Sequence, residues 1–173
     1  MSGTLTAMTH VLVISDTHLA ADHAPRLVER LGEHLQHADA ILHAGDVTSV
    51  EVLGALSRFA PVHAVLGNND RGVPLPERRL FDLEGCTIGM IHDSGSSSGR
   101  GARLHRMFPT ADVVVFGHSH APWNETDTRA ADGHVQHGLN PGSAMQRRMQ
   151  PHCTVAWLDI DNGAVTGIRH IVV

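Results

Sequence analysis

The sequence predicts an α/β fold, and three observations carry that reading. Short β-branched apolar runs alternate with helical patterns through the first 66 residues. Strand patterns then dominate the second half. Carboxylate, imidazole and amide side chains recur just after the apolar runs, where ligands collect in open α/β sheets.

Residues 1–9 are small and polar and read as a loose lead-in. His10–Ser15 is a continuous apolar run of the kind buried on both faces of a parallel sheet. Leu27, Leu31 and Leu35 follow Pro25 at four-residue spacing, which predicts one amphipathic helix starting near the proline. Asp39–His43 is a second strand. Thr48-Ser49-Val50-Glu51 has the form of a capping box opening a helix to about Phe59. Val62–Leu66 is a third strand and runs into Gly67-Asn68-Asn69-Asp70. Further on, Leu80–Leu83 and Cys86–His92 read as strands across a Glu-Gly turn, Arg100–Phe108 as a short helix and Asp112–Phe116 as a buried strand. His134–Leu139, Thr154–Ile160 and Ala164–Val172 complete the strands, the last two joined by an Asp-Asn-Gly hairpin turn. Ser94–Gly99, rich in serine and glycine, is expected to be a flexible loop, passive or serving as a lid.

Composition narrows the function classes. A chain of 173 residues with 42% hydrophobic residues suits a single domain, taken as residues 1–173, with a core of its own. The formal net charge of −5 disfavours long nucleic acid, whose affinity comes from phosphate neutralisation, but leaves room for a small phosphorylated substrate. Two cysteines, Cys86 and Cys153, are too few for a disulfide framework or a cysteine zinc site and read as reduced core thiols. No run reaches the length of a membrane span and no leader pattern opens the chain, so no membrane partner is expected and the expected location is cytoplasmic. A homo-oligomer is left open.

Fifteen histidines with no tyrosine demand sorting. Five strand ends carry the chemistry: Asp16-Thr17-His18, Gly45-Asp46, Gly67-Asn68-Asn69-Asp70, His92, and Gly117-His118-Ser119-His120. Carboxylate, imidazole and amide oxygen suit divalent ions such as manganese, zinc, iron or nickel. A spacing of two along extended chain would put Asp16 and His18, or His118 and His120, on one side. Gly45, Gly67 and Gly117 would let backbone approach the site closely. His43, on a strand, reads as buried and hydrogen-bonded beside the site. His23, His34 and His37 read as solvated, and His63 as packed. Arg147-Arg148 reads as a solvated face, with contact to substrate phosphate as the alternative.

The ordered set D-x-H, G-D, G-N-x-D, H and G-H-x-H resembles the calcineurin-like metallophosphoesterase superfamily. The chain length, Gly-Asn-Asn-Asp and Asn140-Pro141-Gly142-Ser143 are similar to its branch of small YfcE-like phosphodiesterases. The resemblance implies a four-layer α/β/β/α sandwich and two divalent transition-metal ions, manganese first. It implies that Asp16, His18, Asp46 and His120 hold one ion and that Asp46, Asn68, His92 and His118 hold the other, with Asp46 bridging. Asp46, Asn69, Asp70 and His118 are then the candidate catalytic positions, Asp70 as an orienting carboxylate. Two positions depart from the pattern. Asn69 stands where many relatives carry a histidine that acts on substrate phosphate, and His92-Asp93-Ser94-Gly95 replaces the branch's His-Gly-His. The implied reaction is hydrolysis of phosphate esters, diesters preferred, by a metal-bound hydroxide. Two dications less the charges of Asp16 and Asp46 leave a doubly positive core that hydroxide and one phosphodiester would neutralise. A phosphomonoesterase on the same site, a nuclease, and a non-catalytic binding scaffold such as the superfamily's retromer subunit are the alternatives. The acidic charge weighs against the nuclease, and the complete ligand set weighs against the scaffold.

Overall fold

The computed structural model describes residues 8–173, so most of the expected lead-in lies outside the described residues. Thr9, placed in that lead-in, already belongs to the first strand. In chain order the elements are β1 (Thr9–Ile14), α1 (Ala24–Leu31), α2 (Glu33–Gln36), β2 (Ala40–His43), α3 (Val50–Leu56) and β3 (Val62–Ala64). Then come β4 (Arg78–Leu83), β5 (Cys86–Ile91), α4 (Arg100–Met107), β6 (Val113–Val115), β7 (Trp123–Thr128), β8 (Val135–Asn140), β9 (Thr154–Asp161) and β10 (Ala164–Val172).

These strands form two five-stranded mixed sheets, ordered β10-β9-β1-β2-β3 and β4-β5-β6-β8-β7. Each holds three parallel strands, β1-β2-β3 and β5-β6-β8, with antiparallel neighbours outside them. The alternation of side chains along each strand explains the layers. Val11, Val13, Leu42, Ala156 and Leu158 of the first sheet pack against Ile88, Met90, Val113, Val115 and Leu139 of the second. The intervening Leu12, Ile14, Ile41, Val155 and Trp157 face the other way, onto Leu27, Leu31, Leu35, Val52 and Leu56 of the helices. On the second sheet's outer face, Val114 and Phe116 meet Leu104 and Phe108 of α4 and its end. The result is the expected α/β/β/α sandwich, and it accounts for apolar runs that show no polar alternation.

Four local details differ from the sequence reading. The single helix predicted through Leu27, Leu31 and Leu35 breaks into α1 and α2 at Gly32, whose φ of +49° and ψ of −122° leave the helical region. The leucines still share one cluster. The helix at Thr48-Ser49-Val50-Glu51 is capped by Ser49, which accepts from the Glu51 N–H at 3.2 Å. Thr48 instead sits at φ +67° and donates its N–H to Asp70, so the Thr-x-x-Glu pattern is not the cap, and α3 ends at Leu56. Strand β7 (Trp123–Thr128) has no sequence signal, because Asn-Glu-Thr-Asp-Thr lies exposed on a sheet edge. The Ser94–Gly99 loop, expected to be flexible, is tied down by Arg103, whose guanidinium donates to the carbonyls of Ser94, Ser96 and Ser98.

Helix α4 can dock because the strand beneath it offers a glycine. A Cβ built on Gly89 of β5 would lie 2.8 Å from Cγ and Cδ1 of the buried Phe108 ring. The buried ring would have to shift from its root, so Gly89→Ala is expected to cost about 1–3 kcal/mol in urea unfolding. An unchanged midpoint would contradict this packing.

Strand β2 ends in His43, which is fully buried, with Nε2 3.1 Å from Thr17 Oγ1 and no partner for Nδ1. Burial pushes its pKa down from 6.5 to about 3, with His92 acting in the same direction. The unfolded chain therefore binds this proton more readily than the native state. The penalty is absent above pH 6.5 and grows as pH falls from there towards 3. Between pH 7.5 and pH 5, metal-free protein should lose about 2 kcal/mol more stability than a His43→Gln variant. Parallel losses in chemical unfolding would show that His43 is not buried as a neutral ring.

Candidate metal centre

The two parallel triplets bring their carboxyl ends to one edge of the sandwich. Register aligns Ile14, His43 and Ala64 in one sheet and Met90, Val115 and Leu139 in the other. Just past these residues the loops cross-link: Asp16 N–H donates to Gly45 O, His18 N–H to Asp46 O, and Gly117 N–H to His92 O. The close approach requires missing side chains. A Cβ on Gly67 would lie 2.1 Å from Asp46 Oδ1, and one on Gly117 would lie 1.9 Å from Ser15 Oγ. Both glycines, with Gly45, were expected for this reason.

All seven predicted ligands gather here. His120 Nε2 lies 3.4 Å from Asp16 Oδ1, with His18 Nε2 at 3.8 Å and His92 Nε2 at 3.9 Å from the same oxygen. Asp46 Oδ2 lies 3.4 Å from both His18 Nε2 and His92 Nε2. Asn68 Oδ1 lies 3.0 Å from His92 Nε2 and from His118 Nδ1. Asp46 thus stands between a group built around His18 and His120 and a group built around His92, Asn68 and His118. Asp16 borders both groups more closely than the resemblance implied.

Hydrogen bonding behind these atoms fixes their roles. Asp16 Oδ2 accepts from Ser15 Oγ at 2.7 Å and from the His118 N–H at 3.0 Å. Its Oδ1 is buried and accepts nothing. The His92 Nδ1–H donates to Ala44 O at 2.7 Å and the His120 Nδ1–H to Gln146 O at 2.5 Å. A carbonyl can only accept, so in each neutral ring the proton is on Nδ1 and Nε2 presents a lone pair. His120 Nε2 nevertheless lies 3.3 Å from His18 Nε2, and His92 Nε2 faces the Asn68 oxygen. Acceptors converging on an orphaned carboxylate oxygen are an arrangement that a divalent cation satisfies, and oxygen and imidazole donors suit one.

Electrostatics agree. Burial is the largest influence on His18; Asp46 and Asp16 oppose it, His120 and Arg148 reinforce it, and the net pKa is below the ordinary value. His18 is therefore neutral at pH 7 and able to ligate. Burial would raise the Asp46 carboxyl, but hydrogen bonds from Asn69 and the nearby His92 and His18 outweigh it and hold Asp46 below the usual carboxylate range.

The candidate catalytic positions divide. His118 is exposed at the rim. Asp70 does not reach the ligand cluster: its carboxylate accepts from the Thr48 N–H at 2.6 Å and the Gly67 N–H at 2.7 Å, tying two ligand loops together. Asn69 turns onto Asp46, donating its backbone N–H to Oδ1 at 2.8 Å and its amide to Oδ2 at 2.7 Å. Residues the sequence reading left without a role also hold the site. Ser143 Oγ donates to Asp16 O and accepts from the Gln146 N–H, and Asn140 donates its amide to Gly117 O. Their only signal was the Asn-Pro-Gly-Ser segment itself.

The geometry by which Asp16 and His18 share a side is not the extended chain expected. Asp16, His18, Asp46, His118 and His120 all have positive φ, between 47° and 68°. Left-handed backbone costs a non-glycine residue roughly 1–2 kcal/mol, and such positions cluster at functional sites.

Comparison with known proteins agrees with this arrangement. Residues 9–163 match the model of the calcineurin-like phosphoesterase superfamily domain. A protein of Methanothermobacter thermautotrophicus named "Probable metallophosphoesterase" is 37% identical over 152 residues, 85% of this chain and 84% of that one. The structure superimposes on an archaeal phosphodiesterase with a TM-score of 0.70 at 19% identity, covering 95% of this chain and 100% of the other. It superimposes on Vacuolar Protein Sorting 29 of Cryptosporidium parvum with a TM-score of 0.72 at 19% identity, covering 96% and 99%. The chain belongs to the calcineurin-like phosphoesterase superfamily.

Proposed function

We propose that the protein is a dinuclear metal-dependent phosphoesterase that prefers phosphodiesters. The observation that supports it most is the convergence of seven ligand side chains in which bare acceptors face one another around Asp16 Oδ1. In this reading Asp16, His18, Asp46 and His120 hold one divalent ion, and Asp46, Asn68, His92 and His118 hold the other. Manganese is the proposed metal. Bound divalent ions would supply Lewis acidity and an activated water.

The protein's own groups do the rest. Ser15 and the His118 N–H orient Asp16, and the carbonyls of Ala44 and Gln146 fix the tautomers of His92 and His120. Asn69 and Asp70 act as positioning residues, one on Asp46 and the other on the Thr48 and Gly67 N–H groups. His118, at the rim, is the ligand best placed to meet substrate oxygen. The fold is shared with Vacuolar Protein Sorting 29, so a non-catalytic scaffold is the second reading. The complete acceptor set, on a chain 37% identical to a probable metallophosphoesterase, favours the enzyme. Among the described residues no helix is long and apolar enough to cross a membrane.

Elemental analysis after manganese loading should give about two ions per chain, since seven ligands with one shared carboxylate exceed the coordination of a single ion. Asp46→Ala should abolish turnover and weaken both ions, whereas His120→Ala should harm chiefly one. Protein that holds only trace metal, or Asp46→Ala with near-normal turnover, would overturn the reading.

The position of Asn69 sets the substrate preference. An amide cannot release a proton at neutral pH, and this one is already bonded to Asp46. A positioned general acid contributes about 10²–10⁴-fold when a poor leaving group departs. Rates across a series of aryl phosphodiesters should therefore depend steeply on leaving-group pKa, and Asn69→His should flatten the dependence. A shallow slope in the natural protein would mean that another group already donates the proton.

A further inference from the structure

Beyond the ligands, one loop tied to the site carries an exposed cation. The segment after Ser143 is tethered to the centre twice: Ser143 Oγ donates to Asp16 O at 2.8 Å, and Gln146 O accepts from His120 at 2.5 Å. The chain then closes a turn in which the Gln150 N–H donates to Arg147 O, and Arg147 folds its guanidinium back onto Gln150 O at 2.8 Å. Arg148, two residues from the carbonyl that touches His120, sits at φ +48°. A non-glycine residue is held in that conformation only where its surroundings impose it. Arg148 is exposed. No hydrogen bond or ion pair engages its guanidinium among the described residues. Asn69, at the position where a phosphate-contacting group would be sought, is committed to Asp46 through both its N–H and its amide.

We propose that Arg148 is the residue that captures the phosphate anion of the substrate at the mouth of the metal centre. The inference rests on the phosphoesterase reading and deepens it by naming the cation that recognises the substrate. A guanidinium matches two non-bridging phosphoryl oxygens with parallel N–H donors, which a lysine ammonium reproduces only as a point charge. A contact made alike to substrate and transition state lowers KM more than it raises kcat.

The test uses the manganese-loaded full chain, with bis(4-nitrophenyl) phosphate as substrate and inorganic phosphate as competitive inhibitor. Arg148→Ala should lower kcat/KM by about 10- to 100-fold, mainly through KM, and raise the phosphate inhibition constant by a similar factor. Arg148→Lys should recover part of the loss. Arg147→Ala, whose guanidinium serves only its own turn, should behave as wild type. Metal content should stay at the wild-type level in every variant, a readout that a merely structural role for Arg148 would move. If Arg148→Ala keeps both constants while the wild type turns over and binds phosphate, the assignment of Arg148 is wrong and the phosphoesterase reading stands. If the variant loses activity together with metal, Arg148 supports the loop rather than the anion, and the proposal is overturned. A wild-type protein that neither turns over nor binds phosphate overturns both readings.

Discussion

The site depends on how closely the carboxyl edges of two sheets approach each other. Asp16 leaves β1 in one sheet, yet its Oδ2 is held by the N–H of His118, which follows β6 in the other. Gly117 makes this possible, because any side chain there would overlap Ser15 and Asp16. Gly67 does the same for Asp46. The ligand geometry is therefore a property of the inter-sheet packing of Val11, Val13, Ile88, Val113 and Val115 as much as of the ligands themselves. A shift of the sheets by a fraction of an ångström would move Asp16 relative to His92 and His118 together, since these side chains come from different sheets. Close-packed interiors resist such shifts, which is what a preorganised metal centre requires.

Much of this was legible in the sequence, for a physical reason. Parallel strands buried on both faces need uninterrupted apolar residues, so His10–Ser15, Asp39–His43 and Asp112–Phe116 stood out against their surroundings. Loops at strand ends need turn formers, so Gly45-Asp46 and Gly67-Asn68-Asn69-Asp70 stood out as well. The order of those motifs picked out the seven side chains that converge, although the backbone geometry that brings them together differs from the one expected. Asp16 and His18 were expected to face one way because extended chain alternates; they do so in left-handed backbone that continues no strand. Nothing in the sequence marks positive φ at these positions, because aspartate and histidine enter the left-handed region only in a minority of cases and tertiary contacts decide which.

What escaped the sequence reading shares a cause. Strand β7 is an edge strand whose exposed polar side chains bury nothing, so it leaves no hydrophobic pattern. The helix break at Gly32 costs no burial, because Leu35 rejoins the cluster of Leu27 and Leu31 after the kink. The Ser49 cap replaces a Thr48 cap because Asp70, 22 residues further on, takes the Thr48 N–H. The direction of Asn69 depends on a carboxylate 23 residues earlier. Each is decided by a tertiary partner, and local propensity is silent about tertiary partners.

This gives the loop 67–70 a division of labour that bears on chemistry. Gly67 admits Asp46, Asn68 presents its oxygen to His92 and His118, Asn69 binds Asp46, and Asp70 binds the backbone on either side. Four consecutive residues are thus committed to building the centre, and none is left to meet the substrate. The proposed anion contact lies instead on the loop after Ser143, which is tied to Asp16 and His120 and carries Arg148. A site that builds its metal cradle from one loop and its anion contact from another can change substrate preference on the second without disturbing the first.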